Sequence, residues 1–293
     1  MIKKQLFIFF ILCFSAAICV AQVAVYDVYT KDLSILSVDQ IFLQPGNIVK
    51  DRKVNFNIAR RQLTGVFDVV NASYFNADLL FLGQNEGIHK LAIYGRNSQE
   101  GKFISENKLS LAYAYQAQLN DRFALGLGLN AGIVGLSFQG SESNPGGSDT
   151  KPDLQASVNL SSDGFECGIS ANQFTNSQVK PLFSTFVYRR FYSVYFSKRL
   201  IERENLAIHL INLLKTSLGS ELNLNTMLQS TIQQHVQLQA GFRMPGAYYF
   251  GVGFYELAFY DLLFGLHCHY VVPLPKFGNY NRLEFAIQVA LPQ

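Results

Sequence analysis

Residues 123–132 read Phe123-Ala124-Leu125-Gly126-Leu127-Gly128-Leu129-Asn130-Ala131-Gly132, and this stretch decides the fold of the 293-residue chain. Apolar side chains occupy every second position, and small or amide-bearing residues occupy most of the positions between them. Successive side chains of a β-strand point to opposite faces, so the stretch predicts a strand with one apolar face and one small, polar face. Gly126, Gly128, Gly132 and the nearby Gly135 lie inside this alternation instead of at a strand-to-helix turn. They therefore predict close packing in a sheet and not a nucleotide-binding loop.

The same alternation recurs along the body of the chain. It predicts fifteen candidate strands, at 54–60, 64–71, 75–82, 88–95, 107–118, 122–138, 153–160, 164–172, 182–198, 205–215, 221–228, 235–243, 247–254, 258–272 and 282–291. The faces opposite the apolar ones carry mainly Gly, Ser, Asn and Gln, with few charges.

Two architectures fit such an alternation. A soluble sandwich buries its apolar faces between two sheets, whereas a transmembrane barrel turns them towards lipid. The uncharged polar faces favour the barrel, because a sheet facing bulk water usually carries Lys, Glu and Thr. The clearer segments are also long enough to cross a membrane at a tilt. Finally, short connections at 119–121, 161–163 and 201–205 alternate with longer ones at 96–106, 139–152, 172–181 and 273–281, as in outer-membrane barrels.

The predicted fold is therefore all-β, a transmembrane antiparallel β-barrel over residues 54–293. An even strand count is expected when both chain ends lie in the periplasm, so we expect about 14 strands, with 12 and 16 as alternatives. The segment 205–220 also fits a helix, because its apolar residues recur near a period of 3.6; these are Leu206, Ala207, Leu210, Leu213, Leu214 and Leu218. Residues 22–53 show no clear alternation, and we expect either a periplasmic lead-in or a segment tucked into the lumen.

The N-terminus has the features of a secretory signal peptide over residues 1–21. Lys3 and Lys4 precede the apolar run 6–14, and a small-residue exit follows at Cys19-Val20-Ala21. The run is too short for a transmembrane anchor, which needs about 20 apolar residues. Beyond the signal only Cys167 and Cys268 remain. Two cysteines do not make a disulfide framework, and the sequence leaves open whether they pair.

The composition excludes two classes of protein. Only 15% of the residues are charged while 49% are hydrophobic, which is the opposite of a disordered chain. The formal net charge is +3, too small for the electrostatic footprint of a nucleic-acid binder. We therefore expect no nucleic-acid partner.

The most suggestive candidate for chemistry is His267-Cys268-His269. On a strand His267 and His269 share a face, and a His-x-His pair can hold a metal. A closed site needs two further ligands, and none is spaced nearby, so the pair is interpreted as imidazoles facing a lumen or an interface.

Other charged residues predict no site either. Arg189-Arg190 and Lys198-Arg199 flank the aromatic run 191–196, and they are interpreted as strand-end charges beside an interfacial aromatic girdle. Glu166, Glu221 and Glu284 lie on polar faces of different strands, and nothing in the sequence brings them together for acid–base chemistry. No catalytic residue, cofactor site or metal site is predicted, and the protein is not expected to be an enzyme.

Several segments from residue 105 onward resemble the PorP/SprF family of type IX secretion system outer-membrane proteins. The run 108–115 leads through Asn120-Asp121-Arg122 into 124–132, similar to the family's central hairpin. Further similarity lies at Pro152-Asp153, 165–173, 220–228, 236–243 and Asn279-Tyr280-Asn281. The resemblance implies a protein of the bacterial outer membrane that acts with the type IX translocon. Such proteins help deliver or anchor particular large surface proteins, including gliding adhesins. The family has no catalytic motif, so no single functional residue is carried over.

Three functions are therefore considered. The first is an outer-membrane accessory of type IX secretion, whose partners are outer-membrane lipid, secretion components and a secreted surface protein. The second is a small-solute outer-membrane channel. The third is a soluble periplasmic β-sheet binding protein.

Overall fold

The computed structural model describes residues 52–64, 70–83, 87–101, 103–140, 145–182, 185–217, 222–244, 246–274 and 281–292. The expected signal peptide, and the expected lead-in up to residue 51, lie outside these ranges. Across the described ranges, no helix is long and apolar enough to cross a membrane.

The described chain forms sixteen strands, fourteen of which close into one antiparallel barrel. The barrel strands are β1 (Arg52–Thr64), β2 (Val70–Leu82), β3 (Ile88–Glu100), β4 (Ile104–Gln118), β5 (Phe123–Phe138), β6 (Gly147–Ser162), β7 (Phe165–Asn172), β10 (Phe191–Arg203), β11 (Leu206–Ser217), β12 (Asn223–Ile232), β13 (Val236–Met244), β14 (Ala247–Phe259), β15 (Leu262–Pro273) and β16 (Asn281–Pro292). Two short strands, β8 (Gln178–Val179) and β9 (Phe186–Val187), pair with each other in the connection between β7 and β10.

Each barrel strand pairs with the preceding and following strands, and β1 pairs with β16 to close the ring. Closure gives every barrel strand a hydrogen-bonded neighbour on both sides, which a sheet crossing lipid requires. The predicted barrel of about 14 strands is confirmed, and the alternative of a soluble sandwich is wrong.

The apolar faces of the strands point outward. On β5, Leu127 and Leu129 are 48% and 64% exposed, whereas Asn130 between the outward residues is 3% exposed. The same outward orientation holds for Phe56, Ile58, Phe75, Leu91, Ile93, Leu109, Leu111, Leu154, Val158, Ile169, Val194, Leu228, Leu238, Phe250, Val252, Leu266, Phe285 and Ile287. Soluble proteins rarely expose a continuous apolar surface of this extent. A lipid-facing band explains it.

Many inward side chains are polar and buried, although an apolar cluster also lies on the inward side. The buried uncharged side chains among them include Asn55, Asn57, Asn76, Ser110, Asn130, Gln155, Ser157, Asn159, Ser170, Asn172, Ser193, Asn225, Gln237 and Gln288. The buried charged side chains of the described residues are Arg61, Lys90, Arg96, Glu106, Lys108, Asp153, Lys215, Arg243 and Glu284.

The two ends of the barrel differ in their connections. One end carries both ends of the described chain and the short turns at 119–122, 163–164, 204–205, 233–235 and 260–261. The opposite end carries the longer connections between β5 and β6, between β7 and β10, and between β15 and β16. Because outer-membrane barrels have short periplasmic turns and longer outer loops, we assign the first end to the periplasm and the second, the loop end, to the exterior.

Two of the expected long loops are partly or mostly strand. β3 runs to Glu100 and β4 begins at Ile104, so most of the expected loop at 96–106 belongs to these two strands. β6 begins at Gly147, inside the expected loop at 139–152. In these stretches the outward and the inward side chains are both polar, so no apolar alternation marked them as strands.

Two further expectations need correction. The candidate strand at 64–71 is divided between the end of β1 at Thr64 and the start of β2 at Val70, and 65–69 lie outside the described residues. The helix considered for 205–220 is strand β11 up to Ser217. Its alternation is weak because Ile211 and Leu213 on the inward face contact an apolar cluster, while the outward face is also apolar.

Candidate functional site

A layer of charged side chains fills the lumen near the loop end. Lys108 on β4 pairs with Asp153 on β6, with 2.5 Å between Nζ and Oδ2, and both side chains are almost fully buried. Gly132 on β5 lies between them in the register, opposite Ser110 and Asp153. A Cβ at Gly132 would come within 2.4 Å of the Ser110 Cβ, so only glycine leaves the wall flat enough there.

The charged layer continues across β4, β3, β2 and β1. The Arg96 guanidinium lies 3.6 Å from the Glu106 carboxylate, and Arg61 Nη2 donates to the Tyr74 hydroxyl at 2.6 Å. The guanidinium carbons of Arg61 and Arg96 lie 5.6 and 5.8 Å from the centroid of the Tyr74 ring. Both cations are thus within the range of a cation–π interaction with one ring. Removing one charge from such a buried set is expected to leave another uncompensated.

A chain of hydrogen bonds between uncharged side chains crosses the middle of the lumen wall. Asn130 donates to Gln155 at 2.6 Å, and Gln155 donates to Asn172 at 2.9 Å. Asn172 then donates to the Ser170 hydroxyl at 2.9 Å, and Ser170 lies 2.6 Å from the Ser193 hydroxyl. The chain joins β5, β6, β7 and β10, and it fixes the rotamers of the side chains that line this part of the lumen.

A smaller charged group lies nearer the periplasmic end. Asp78 accepts hydrogen bonds from Asn76 at 2.7 Å and from Asn55 at 3.2 Å. Gln288 donates to Asn55 at 2.8 Å across the closure between β16 and β1. The seam between the first and last strands is therefore tied by side chains as well as by the backbone ladder.

The connection between β7 and β10 folds against the top of β6. We call residues 173–190 the mouth segment, of which 183–184 are not described. Its attachments are local hydrogen bonds: Phe174 N donates to Leu154 O at 3.0 Å, Ser177 Oγ to Pro152 O at 2.6 Å, and Lys180 N to Asp149 Oδ2 at 2.7 Å. β7 pairs with β6 only up to Ala156, so the mouth segment covers the edge that β7 leaves free. Pro152 suits this edge because it has no N–H to satisfy.

The inner side of the mouth segment is apolar. Val179 is 0% and Tyr188 5% exposed, and they join a cluster with the inward Val134 and Leu136 of β5 and with Phe191 at the start of β10. Burial is the main cause that raises the pKa of the Tyr188 phenol, and the negative charge of Glu106 raises it further. The phenol therefore stays protonated. The mouth segment thus narrows the loop end of the lumen and presents a fixed outer surface.

His267 and His269 both point into the lumen from β15, and their ring centroids are 6.5 Å apart. They lie over Gly253 and Gly251 of β14, where a Cβ would collide with the imidazoles. Cys268 between them points outward. Within the described ranges, no group of three or more His, Cys, Asp or Glu side chains is arranged to hold a metal ion.

The candidate acids and cysteines are dispersed. Glu166 lies on β7 near the periplasmic end and Glu284 on β16 near the loop end, so the structure does not bring them together. Glu221 lies outside the described residues. Cys167 on β7 and Cys268 on β15 are both free thiols and are not paired.

The basic pairs lie at opposite ends of β10. Arg190 at the loop end donates to Phe174 O at 2.7 Å, and its guanidinium carbon lies 5.3 Å from the Phe174 ring centroid. Arg199 at the periplasmic end pairs with Asp163 and with Glu202, the latter at 2.5 Å.

Sequence reasoning missed the Lys108–Asp153 pair and the mouth segment. Lys108 and Asp153 both lie at the start of candidate strands, but which side chains meet across β5 depends on the strand register, and the sequence does not show the register.

One protein-family model matches most of the chain. The family model described as "Type IX secretion system membrane protein PorP/SprF" matches residues 34–289. Among curated proteins none matches the chain.

Solved structures share the barrel at low sequence identity. The CymD monoaromatic hydrocarbon channel has a TM-score of 0.59 at 9% identity, covering 88% of this chain and 93% of that chain. The Ralstonia pickettii toluene transporter TbuX has a TM-score of 0.57 at 7% identity, covering 87% and 94%. A Pseudomonas aeruginosa FadL homologue has a TM-score of 0.54 at 10% identity, also covering 87% and 94%. At these identities the likeness shows the fold alone.

Proposed function

Because the chain belongs to the PorP/SprF family of type IX secretion system membrane proteins, we propose that it is an accessory of that system which helps deliver or anchor particular surface proteins, such as gliding adhesins. The barrel resides in the bacterial outer membrane, in keeping with its family and its closed, outward-apolar fold. The observation that carries the proposal is the family match, which runs from residue 34 to residue 289. The proposed role is recognition of protein partners, without catalysis.

The loop end of the barrel is better suited to binding a protein partner than to letting solutes pass through the lumen. The mouth segment is held against β6 by backbone and side-chain hydrogen bonds and against β5 by Val179 and Tyr188. A surface that is already ordered loses little conformational entropy when a partner binds. The exposed Lys180 and Phe174 lie on this segment, and we propose that the secreted partner contacts the loop end around them.

A deletion strain tests the role. Loss of the protein should remove one or a few specific proteins from the cell surface, while the other substrates of the translocon remain. Surface proteomics after mild protease shaving measures this. Complementation with the wild-type gene should restore the missing proteins. An unchanged surface proteome in the deletion strain would refute the secretion role.

Point variants then test the recognising face. The double variant Phe174→Ala with Lys180→Ala should fail to restore the surface protein although the barrel is present at the normal level. The control is Arg122→Ala, an exposed residue of a periplasmic turn, and it should restore the surface protein fully. If both variants restore the surface protein equally, the partner does not bind at the mouth segment.

The small-solute channel needs an open path, and the described lumen offers little support for one. Its inward side chains are buried and hydrogen-bonded to one another, and the mouth segment narrows the loop end. Purified protein in planar bilayers should therefore show no steady ion conductance. A stable open channel in wild-type protein would favour the solute-channel function instead.

A further inference from the structure

A groove of about 500 Å³ crosses the outer surface of β1–β6 near the loop end. Its membrane-side wall is an apolar row formed by Ile58, Phe75, Leu109 and Ile133. These residues lie side by side in the register, with Gly95 between Phe75 and Leu109. They are the last apolar residues of the lipid-facing band on these strands.

The outer wall of the groove is a row of uncharged polar residues, one step further towards the loop end. It runs through Ser73, Asn97, Asn107, Gly135 and Thr150, which are consecutive partners in the register from β2 to β6. Asn97 donates to Asn107 at 2.6 Å, and both side chains are exposed. Each amide keeps a polar atom free for a ligand, because an amide group can make more than one hydrogen bond.

The opposite wall of the barrel is different at this level. There the outward residues near the loop end are aromatic, namely Tyr192 on β10, Phe242 on β13, Tyr248 on β14 and Tyr270 on β15. Such aromatics form the usual girdle at a membrane interface. Between β2 and β6 amides, hydroxyls and a glycine replace them, although Asn and Gly are poor strand formers. Here the strands extend beyond the lipid-facing band, and the groove lies where this polar extension meets the apolar surface.

Most charges near the groove point away from it, and the exception is Arg60 of β1, which is exposed and faces outward beside Ser73 at the end of the outer wall. Arg96 and Lys108 flank Asn97 and Asn107 in the sequence, but they face the lumen and pair there with Glu106 and Asp153. A phosphate group would be expected to meet arginine or lysine. From Asn97 to Thr150 the outer wall offers amides and hydroxyls without an outward cation, and this part of the wall suits a hydroxyl-rich group such as a sugar.

We propose that the groove binds a glycolipid of the outer leaflet. Its acyl chain lies along Ile58, Phe75, Leu109 and Ile133, and the hydroxyls of its sugar bond to the amides of Asn97 and Asn107 and to the other polar residues of the outer wall. The volume is within the range of small-molecule sites, which combine an apolar lining with a few placed polar groups. A lipid occupies the groove because the apolar wall belongs to the band that the outer membrane covers. The proposal depends on the membrane location alone, and it stands whether or not the secretion role is correct.

Native mass spectrometry of protein extracted from outer membranes in a mild detergent tests the site. Wild-type protein should retain one sugar-bearing lipid through gentle delipidation. The double variant Asn97→Leu with Asn107→Leu should reduce the retained lipid about tenfold or more, because it removes both amides. The control is Asn212→Leu with Thr226→Val, an outward hydrogen-bonded pair of 2.9 Å on β11 and β12, which should retain the lipid as wild type does. Heat-modifiable mobility on gels verifies that each barrel is folded. Ser73→Trp is a second groove variant: its indole fills the groove, so it should also reduce the retained lipid.

A reconstitution assay identifies the lipid class. Delipidated protein is placed in nanodiscs of phosphatidylethanolamine with or without purified outer-membrane glycolipid, and it should bind the glycolipid only. Retention of a phospholipid without sugar, or equal retention by wild type and both groove variants, overturns the proposal. A photo-crosslinker at position 97 that captures a protein in cells and no lipid also overturns it, because the groove would then be a protein interface.

Discussion

Leu129→Arg is the most direct probe of the lipid-facing band. Leu129 points outward from β5 and is 64% exposed. It lies six residues after Phe123, the periplasmic start of the strand. At about 3.4 Å per residue and a tilt of about 40°, this places Leu129 about 15 Å along the membrane normal, close to the middle of a band about 25 Å tall. An arginine there is expected to destabilise the folded barrel by about 2–4 kcal/mol.

The measurement is equilibrium unfolding in guanidinium of protein reconstituted into lipid vesicles. Leu127→Arg, two residues nearer the periplasm, should give a similar loss. The control is Phe123→Arg at the strand end, for which the loss should be about 0–1 kcal/mol. If Leu129→Arg and Phe123→Arg unfold at the same denaturant concentration as wild type, the apolar face does not contact acyl chains and the membrane assignment fails.

The buried ion pair, the mouth segment and the glycine-lined wall lead to further predictions. Lys108→Met should destabilise the barrel by about 3–5 kcal/mol because it strands a buried carboxylate, and adding Asp153→Asn should recover most of that loss in the same unfolding assay. Val179→Ser with Tyr188→Ser should loosen the mouth segment and raise the ion conductance in planar bilayers; conductance identical to wild type would show that this segment does not narrow the lumen. Gly241→Ala should destabilise the barrel by about 1–3 kcal/mol through overpacking, since its methyl group would lie 2.3 Å from a carbonyl oxygen of β12. A neutral result in guanidinium unfolding would mean that this wall can relax.

The lipid-facing band could be predicted from sequence because lipid imposes a simple rule on every strand it touches. One face must be apolar, and the other is free to be polar, so Leu125, Leu127 and Leu129 alternate with small or polar residues. The rule depends only on neighbours along one strand. Fourteen of the fifteen candidate strands therefore correspond to barrel strands.

Above that band the rule no longer applies. Arg96 and Glu106 face the lumen while Asn97 and Asn107 face outward, so both sides of β3 and β4 are polar there. Such a stretch has the composition of a loop, although its backbone continues the ladder. The opposite problem affects β11, where both faces are apolar and the segment also fits a helix.

The contacts of the site could not be derived from sequence because they depend on register. Lys108 meets Asp153 across an intervening strand, and the contact requires that Gly132 of β5 face the gap between them. A shift of one residue would turn Gly132 to the outside. Likewise, nothing local in residues 173–190 shows that they fold against β6.

The shortness of β7 has a mechanical consequence. β5 and β6 have 16 residues each, whereas β7 has eight, so the wall at β7 is lower by about 20 Å at a strand rise of 3.4 Å and a tilt of about 40°. A few loop contacts fill this notch in place of a continuous ladder, and regions held by few backbone bonds open at the lowest free energy. Amide hydrogens along the upper half of β6 should consequently exchange with deuterium sooner than those of β4 and β5, and the rim should yield there first when the protein is pulled or heated.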